Sequence, residues 1–120
     1  MTQEDKELLL KDICSRLPYH IRVKVWLKDG TTEEGALDLE HNYGDVLKDA
    51  FYYNEIVKIK PYLFPMSSMT EEQQINLTKF VANGIHGENI LYDWYNENHF
   101  DYRGLIEKGL AIDATGLNIY

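Results

Sequence analysis

The stretch that decides the fold is Ile21-Arg22-Val23-Lys24-Val25-Trp26-Leu27-Lys28-Asp29-Gly30. In its first eight residues, the aliphatic side chains of Ile21, Val23, Val25 and Leu27 alternate with those of Arg22, Lys24, Trp26 and Lys28. This alternation predicts a β-strand with one buried and one solvent-facing side. Asp29-Gly30 favours a tight hairpin, because both central residues of a type I′ turn need positive φ. We therefore expect a second strand over residues 32–40, with Leu37 and Leu39 facing inward.

Two further strands are expected around residues 45–48 and 52–60, after a turn at residues 42–44. In the later strand the alternation predicts that Val57 and Ile59 point inward and that Lys58 and Lys60 point outward. Residues 20–64 are thus predicted to form a small, curved antiparallel sheet, and an SH3-like barrel is one form of it.

Helices are predicted before and after this sheet along the chain. Apolar residues recur at helical spacing at Leu9, Ile13 and Leu17, which predicts a helix over residues 3–16, within an N-terminal helical region 1–17. Thr2 and Asp5 resemble a capping box at its start, and Pro18 stops it. Residues 68–112 are predicted to be helical, with a break at Gly84 and Gly87 and a last short helix that Asp101 caps. One α+β domain over residues 1–120 follows.

Composition and charge narrow the class of protein. The 120 residues are 44% hydrophobic, carry a net charge of −8 and include a single cysteine, so no intramolecular disulfide forms. Residues 65–120 alone have three basic and eight acidic side chains, a net charge of −5. The polar N-terminus does not resemble a signal peptide, and no apolar stretch is long enough to span a membrane. These features predict a cytoplasmic protein with no membrane contact.

No catalytic residue, metal site or cofactor is predicted. The histidines His20, His41, His86 and His99 have no metal-binding spacing, and glycine-rich phosphate loops are absent. His86-x-Glu88 and His99-x-Asp101 are the closest histidine–carboxylate pairs, and we interpret them as polar loop residues. Cys14 lies beside the apolar stripe of the first helix, where a buried cysteine acts as a small hydrophobe.

Two surfaces are candidate binding sites. The outward side of the first strand and its neighbour combines basic groups with an aromatic ring, as nucleic-acid-binding sheets do: Arg22, Lys24, Trp26, Lys28, Lys58 and Lys60. A solvated strand face protected by lysines is the alternative. The C-terminal part provides a second, acidic and aromatic surface for a protein partner: Glu88, Tyr92, Asp93, Glu97, Asp101 and Glu107. Core packing is the alternative for its aromatic residues.

Three segments, spread over most of the chain, resemble a known group of proteins. The segments are 9–19 (LLKDICSRLPY), 60–72 (KPYLFPMSSMTEE) and 99–111 (HFDYRGLIEKGLA). They are similar to a family of small uncharacterised proteins from phages and prophages of gut anaerobes. The resemblance implies a mobile genetic element as the context and assigns no functional residues.

From these observations we expect a non-enzymatic accessory protein that binds and modulates a host nucleic-acid machine, in the manner of an anti-CRISPR inhibitor. Its partner would be the host enzyme, and RNA would be a further ligand of the strand face. The alternative is a small-molecule binder or an enzyme with a pocket between sheet and helices, lined by tyrosine and histidine.

Overall fold

A computed structural model describes residues 2–40, 43–51, 55–83 and 89–120 and confirms the α+β class. Its elements, in chain order, are α1 (Gln3–Arg16), β1 (Ile21–Leu27), β2 (Thr32–Leu37), α2 (Tyr43–Phe51), β3 (Ile56–Leu63), α3 (Glu71–Asn83), α4 (Asn89–Glu97) and β4 (Ile112–Asp113). The strands lie in the order β2-β1-β3-β4. The predicted barrel is wrong, because the sheet is open, and its last pairing, β3 with β4, is parallel.

Helix α1 has the predicted bounds. The Thr2 hydroxyl accepts a hydrogen bond from the Asp5 backbone N–H at 3.0 Å, which satisfies one of the free donors of the first turn. The apolar stripe of α1 is buried against the inner side of the sheet, in one core cluster that α2 and residues 105–111 complete. Cys14 is exposed, so its predicted burial is wrong.

The hairpin between β1 and β2 is tight but differs from the predicted turn. Gly30 has φ +87°, whereas Asp29 does not have positive φ. The Gly30 N–H bonds to the Leu27 carbonyl at 3.1 Å, and the Leu27 N–H bonds to the Thr31 carbonyl at 2.9 Å. This is the pattern of a three-residue loop with a left-handed glycine. Strand β2 ends at Leu37, and Leu39, which we expected inward, is 56% exposed.

The strand predicted at residues 45–48 is a helix instead. Val46, Leu47, Ala50 and Phe51 occupy one side of α2 and all contact the core. This i, i+1, i+4, i+5 spacing is helical, and a window of four residues is too short to separate it from a strand. Residues 41, 42 and 52–54, which include the predicted start of the next strand, lie outside the described residues. The turn predicted at residues 42–44 is wrong at residues 43 and 44, because these begin α2.

A β-bulge explains why Val57 faces solvent. Trp26 pairs with Lys58, but Leu27 pairs with Ile56, so the register shifts by one residue between them. Val57 is the extra residue and is 66% exposed, whereas Ile56 and Ile59 are buried. The predicted inward position is therefore correct for Ile59 and wrong for Val57.

The C-terminal segment is built from turns, not from the predicted short helix. The carboxylate of Asp101 accepts hydrogen bonds from the backbone N–H groups of Leu105 and Ile106 at 2.8 and 2.9 Å. Beyond these turns, the Tyr120 hydroxyl accepts from the Arg22 N–H at 2.9 Å and donates to the Tyr62 carbonyl at 2.8 Å. Tyr120 thereby bridges β1 and β3 next to Pro61, which has no N–H to give the ladder.

Helix α3 contributes little to the core. The Thr70 and Gln73 side chains cap its start reciprocally, at 2.8 and 3.1 Å. Ile75 and Phe80 are 50% and 37% exposed. The interruption predicted at Gly84 and Gly87 lies outside the described residues. In α4, Trp94 is buried and stacks on Phe100 with ring centroids 5.7 Å apart.

Candidate functional site

The outer side of β1 and β3 brings together four of the predicted binding residues. The antiparallel register places Lys24 opposite Lys60 and Trp26 opposite Lys58. The distance to the centroid of the Trp26 ring is 5.3 Å from the Lys24 ammonium, 6.0 Å from that of Lys60 and 4.2 Å from that of Lys58. We call Lys24, Trp26, Lys58 and Lys60 the lysine–tryptophan face.

The lysines of this face form no salt bridge within the part of the chain that the structure describes. The nearest acidic position in the register is Glu34, which pairs with Lys24 across β1 and β2. The Glu34 carboxylate accepts a hydrogen bond from the Tyr62 hydroxyl. Burial of Tyr62 first, and this bond second, raise the pKa of the Tyr62 hydroxyl to about 12.

Two predicted members lie at the margins of the face. Lys28 follows the last residue of β1 and forms a salt bridge with Glu55 at 3.7 Å, with both side chains more than half exposed. Such a surface pair contributes little to stability. Arg22 lies on the same side of β1, near Tyr62. Its positive charge lowers the pKa of the Tyr62 hydroxyl, but burial and Glu34 raise that pKa by more. The outward side of β1 was therefore predicted correctly from the sequence. In the structure, the centre of this basic surface consists of the four residues of the lysine–tryptophan face.

The second predicted surface is only partly a surface. Tyr92, Asp93 and Glu97 are exposed on α4, and Glu107 is exposed in the following turns. Asp101 is buried, and its carboxylate is occupied by backbone N–H groups, so its assignment to a surface is wrong. Glu88 lies outside the described residues.

A buried ionic cluster was not predicted. Asp12 and Arg16 are fully buried and joined by two hydrogen bonds of 3.0 Å. Arg103 donates to Asp12 at 2.8 Å, and Arg16 donates to the Phe100 carbonyl at 2.7 Å. We call Asp12, Arg16 and Arg103 the buried arginine cluster; it fastens the C-terminal segment to α1. The signal for two of its three members was in the sequence, since positions 12 and 16 fall between Leu9 and Leu17 on the apolar stripe.

His99 is the most perturbed titratable group of this region. Its ring stacks on Tyr120 with centroids 3.5 Å apart and meets the His20 ring edge-on at 5.0 Å. Burial, followed by the nearby His20 and Arg16, lowers the pKa of His99 to about 3. His99 is therefore neutral at physiological pH.

The described residues offer neither a metal centre nor an activated nucleophile. They contain no group of three histidine, cysteine, aspartate or glutamate side chains that could hold a metal ion. The His99-x-Asp101 pair does not act as a unit, because the Asp101 carboxylate is committed to the turn that follows it. Partial desolvation raises the pKa of the Cys14 thiol, which disfavours the reactive thiolate.

Comparisons with known proteins add no family. No protein-family model matches the chain, and no curated protein or solved structure is significantly similar to it. Among the described residues, no helix has the length and apolar character needed to cross a membrane.

Proposed function

We propose that the protein is a binding module that contacts single-stranded nucleic acid through the lysine–tryptophan face. One observation carries the proposal: three ammonium groups, none in a salt bridge with a described carboxylate, surround an indole ring on the solvent side of a sheet. Single-strand binders combine these two chemistries, because lysines follow the phosphates while an aromatic ring stacks a base.

The interaction energies favour a base over a lysine ammonium as the group in contact with the Trp26 ring. A cation–π contact at an exposed site is worth about 0.5–1 kcal/mol, and stacking of a base on an aromatic ring about 1–3 kcal/mol. The Lys58 ammonium, 4.2 Å from the ring centroid, would therefore yield to a base and move to a neighbouring phosphate. The flexible lysine stem permits this movement without a change in the sheet.

The biological setting that we propose is modulation of a host nucleic-acid machine by a protein of a mobile genetic element. The net charge of −8 opposes tight binding to free nucleic acid, so the strand would be held together with its enzyme. The exposed Asp93 and Glu97, one turn apart on α4, support this view, because they offer an acidic contact for the basic channel of such an enzyme.

The test is fluorescence anisotropy with a labelled single-stranded oligo(U) at low salt. Changing Lys24, Lys58 and Lys60 together to glutamine should abolish binding. Changing the exposed Lys48, Lys79 and Lys108 to glutamine is the matched control, since it removes the same charge elsewhere. Three phosphate contacts predict that log K falls with log[salt] with a slope of about −2. Equal losses in both triple variants, or no wild-type binding at low salt, would refute the proposal.

A further inference from the structure

A cavity lies away from the sheet, between α1, α4 and the turn that follows Phe100. It is an open cleft of about 570 Å³. Its lining combines basic, amide, hydroxyl and aromatic groups with one acid: Lys11, Ser15, Tyr92, Asp93, Asn96, Tyr102 and Arg103. Its volume falls within the range of small-molecule sites in proteins.

The rings of Tyr92 and Tyr102 form one wall of the cleft. The rings of Tyr92 and Tyr102 lie 5.0 Å apart, and Tyr95 stacks on Tyr102 at 5.6 Å. The Tyr102 hydroxyl donates to Asn96 Oδ1 at 3.0 Å, and the Arg103 guanidinium lies 4.5 Å above the Tyr102 ring. Tyr102 is thus held in one orientation, while Tyr92 is 46% exposed and presents a ring to an incoming ligand.

The polar groups of the cleft are biased towards donors. Arg103 Nη1 is fixed by Asp12 at 2.8 Å and by Ser15 at 3.1 Å, and its remaining N–H groups bind none of the described residues. Asn96 is 5% exposed, and its Oδ1 already accepts from Ser15 and Tyr102. Its amide nitrogen has no partner among the described residues and remains a donor beside Arg103.

The local charge is positive in an otherwise acidic protein. Asp12 is shared by Arg16 and Arg103, so the buried arginine cluster keeps one net positive charge. Lys11 adds a second, and Asp93 removes one. A net charge of about +1 at a cleft rich in donors favours an anionic ligand group.

We propose that this cleft binds a small anion that combines an aromatic ring with a phosphate or a carboxylate group. The ring would lie against the exposed ring of Tyr92, and the anionic group would accept hydrogen bonds from Arg103, Asn96 and Lys11. Fixed arginine donors suit either oxyanion, because both match the guanidinium geometry. This site is independent of the lysine–tryptophan face and does not rest on the function proposed for it.

Calorimetric titration with adenosine 5′-monophosphate, benzoate, inorganic phosphate and adenosine tests the proposal. We expect one of the two ring-bearing anions, adenosine 5′-monophosphate or benzoate, to bind more tightly than either inorganic phosphate or adenosine. The tighter of the two shows whether the cleft prefers a phosphate or a carboxylate. Tyr92→Ala and Lys11→Gln, both at exposed positions, should each weaken that binding several-fold. Arg103→Gln should weaken it by roughly tenfold or more, as expected for loss of a charge-assisted hydrogen bond.

Two controls separate this site from others. Lys6→Gln removes an exposed lysine from the same helix outside the cleft and should leave the affinity unchanged. The triple glutamine variant of the lysine–tryptophan face should also bind the anion normally, even though it loses oligo(U). The proposal is wrong if neither ring-bearing anion binds, or if Tyr92→Ala and Lys11→Gln leave the affinity at the wild-type value.

Discussion

The buried arginine cluster and the lysine–tryptophan face hold cationic groups in opposite ways. In the first, Asp12 and Arg16 have no exposed side-chain surface, and one carboxylate serves two guanidinium groups. In the second, three ammonium groups share no described carboxylate and lie around a partly exposed ring. The residue types match these environments, because arginine binds carboxylates in a fixed, bidentate geometry, whereas lysine is a mobile, strongly hydrated point charge.

The difference indicates which charges maintain the fold and which are available to a partner. A buried ion pair is costly to break, because removal of one partner leaves the other charge without water or a counter-ion. An exposed cation remains hydrated and loses little when a neighbour changes. We therefore expect changes in the cluster to affect stability and changes on the face to affect binding.

The largest expected effect is that of Asp12→Ala. The substitution leaves Arg16 fully buried without its carboxylate and also frees Arg103, so the free energy of unfolding should fall by about 3–5 kcal/mol. Urea denaturation measures this loss. Glu7→Ala, at an exposed position of the same helix, is the control and should barely change the midpoint. Similar, small losses in both variants would mean that the cluster does not hold the fold.

A pH titration of stability sharpens the comparison on the buried side. The pKa of His99 is about 3 in the folded protein, against about 6.5 for an ordinary histidine. Below pH 6.5, His99 therefore binds a proton in the unfolded chain but stays neutral in the folded chain until the pH approaches 3. The stability contribution of His99 is present above pH 6.5 and is lost as the pH falls towards 3, by about 1.4 kcal/mol per pH unit.

His99→Asn isolates this contribution. Asparagine tolerates the positive φ of +64° at this position, and it removes the titrating ring. Unfolding free energies measured from pH 7.5 to 5 should fall less steeply for the variant than for the wild type. All other residues are the same in both proteins, so the difference in slope reports the loss of the His99 ring. Parallel curves would show that this side chain accepts a proton in the folded state.

The two regions also differ in how far the sequence predicts them. The lysine–tryptophan face was predictable because side chains in a strand alternate with period two, so the pattern of β1 and β3 alone places Lys24, Trp26 and Lys58 outward. The bulge at Val57 was not predictable, since nothing local marks the residue that the pairing leaves out. Helix α2 was interpreted as a strand because four residues with two adjacent aliphatics fit either period.

The buried arginine cluster depends on contacts that are distant in the chain. Asp12 and Arg16, four residues apart on a predicted helix, could be recognised as a pair on the apolar stripe. Arg103 could not, because it is 91 residues from Asp12 and reaches it through turns that have no periodic pattern. The parallel strand β4 has two residues and is likewise too short to leave a signal. Local patterns thus predicted the surface of the sheet, and tertiary contacts determined the ionic core.

The smallest expected effect is that of Lys58→Gln on stability, and it tests the exposed side of the comparison. Loss of the cation–π contact with Trp26 should cost about 0.5–1 kcal/mol at such an exposed site. Removal of one of three neighbouring positive charges should offset part of this, because like charges at adjacent positions of a sheet are destabilising. The net change should be within about 0.5 kcal/mol, as for most surface substitutions. Urea denaturation at low and at high salt separates the two contributions, since salt screens the repulsion and leaves the variant relatively less stable. A loss well above 1 kcal/mol would show that Lys58 is a structural partner of Trp26, and the face would then be a closed cluster that has no charge to offer a nucleic acid.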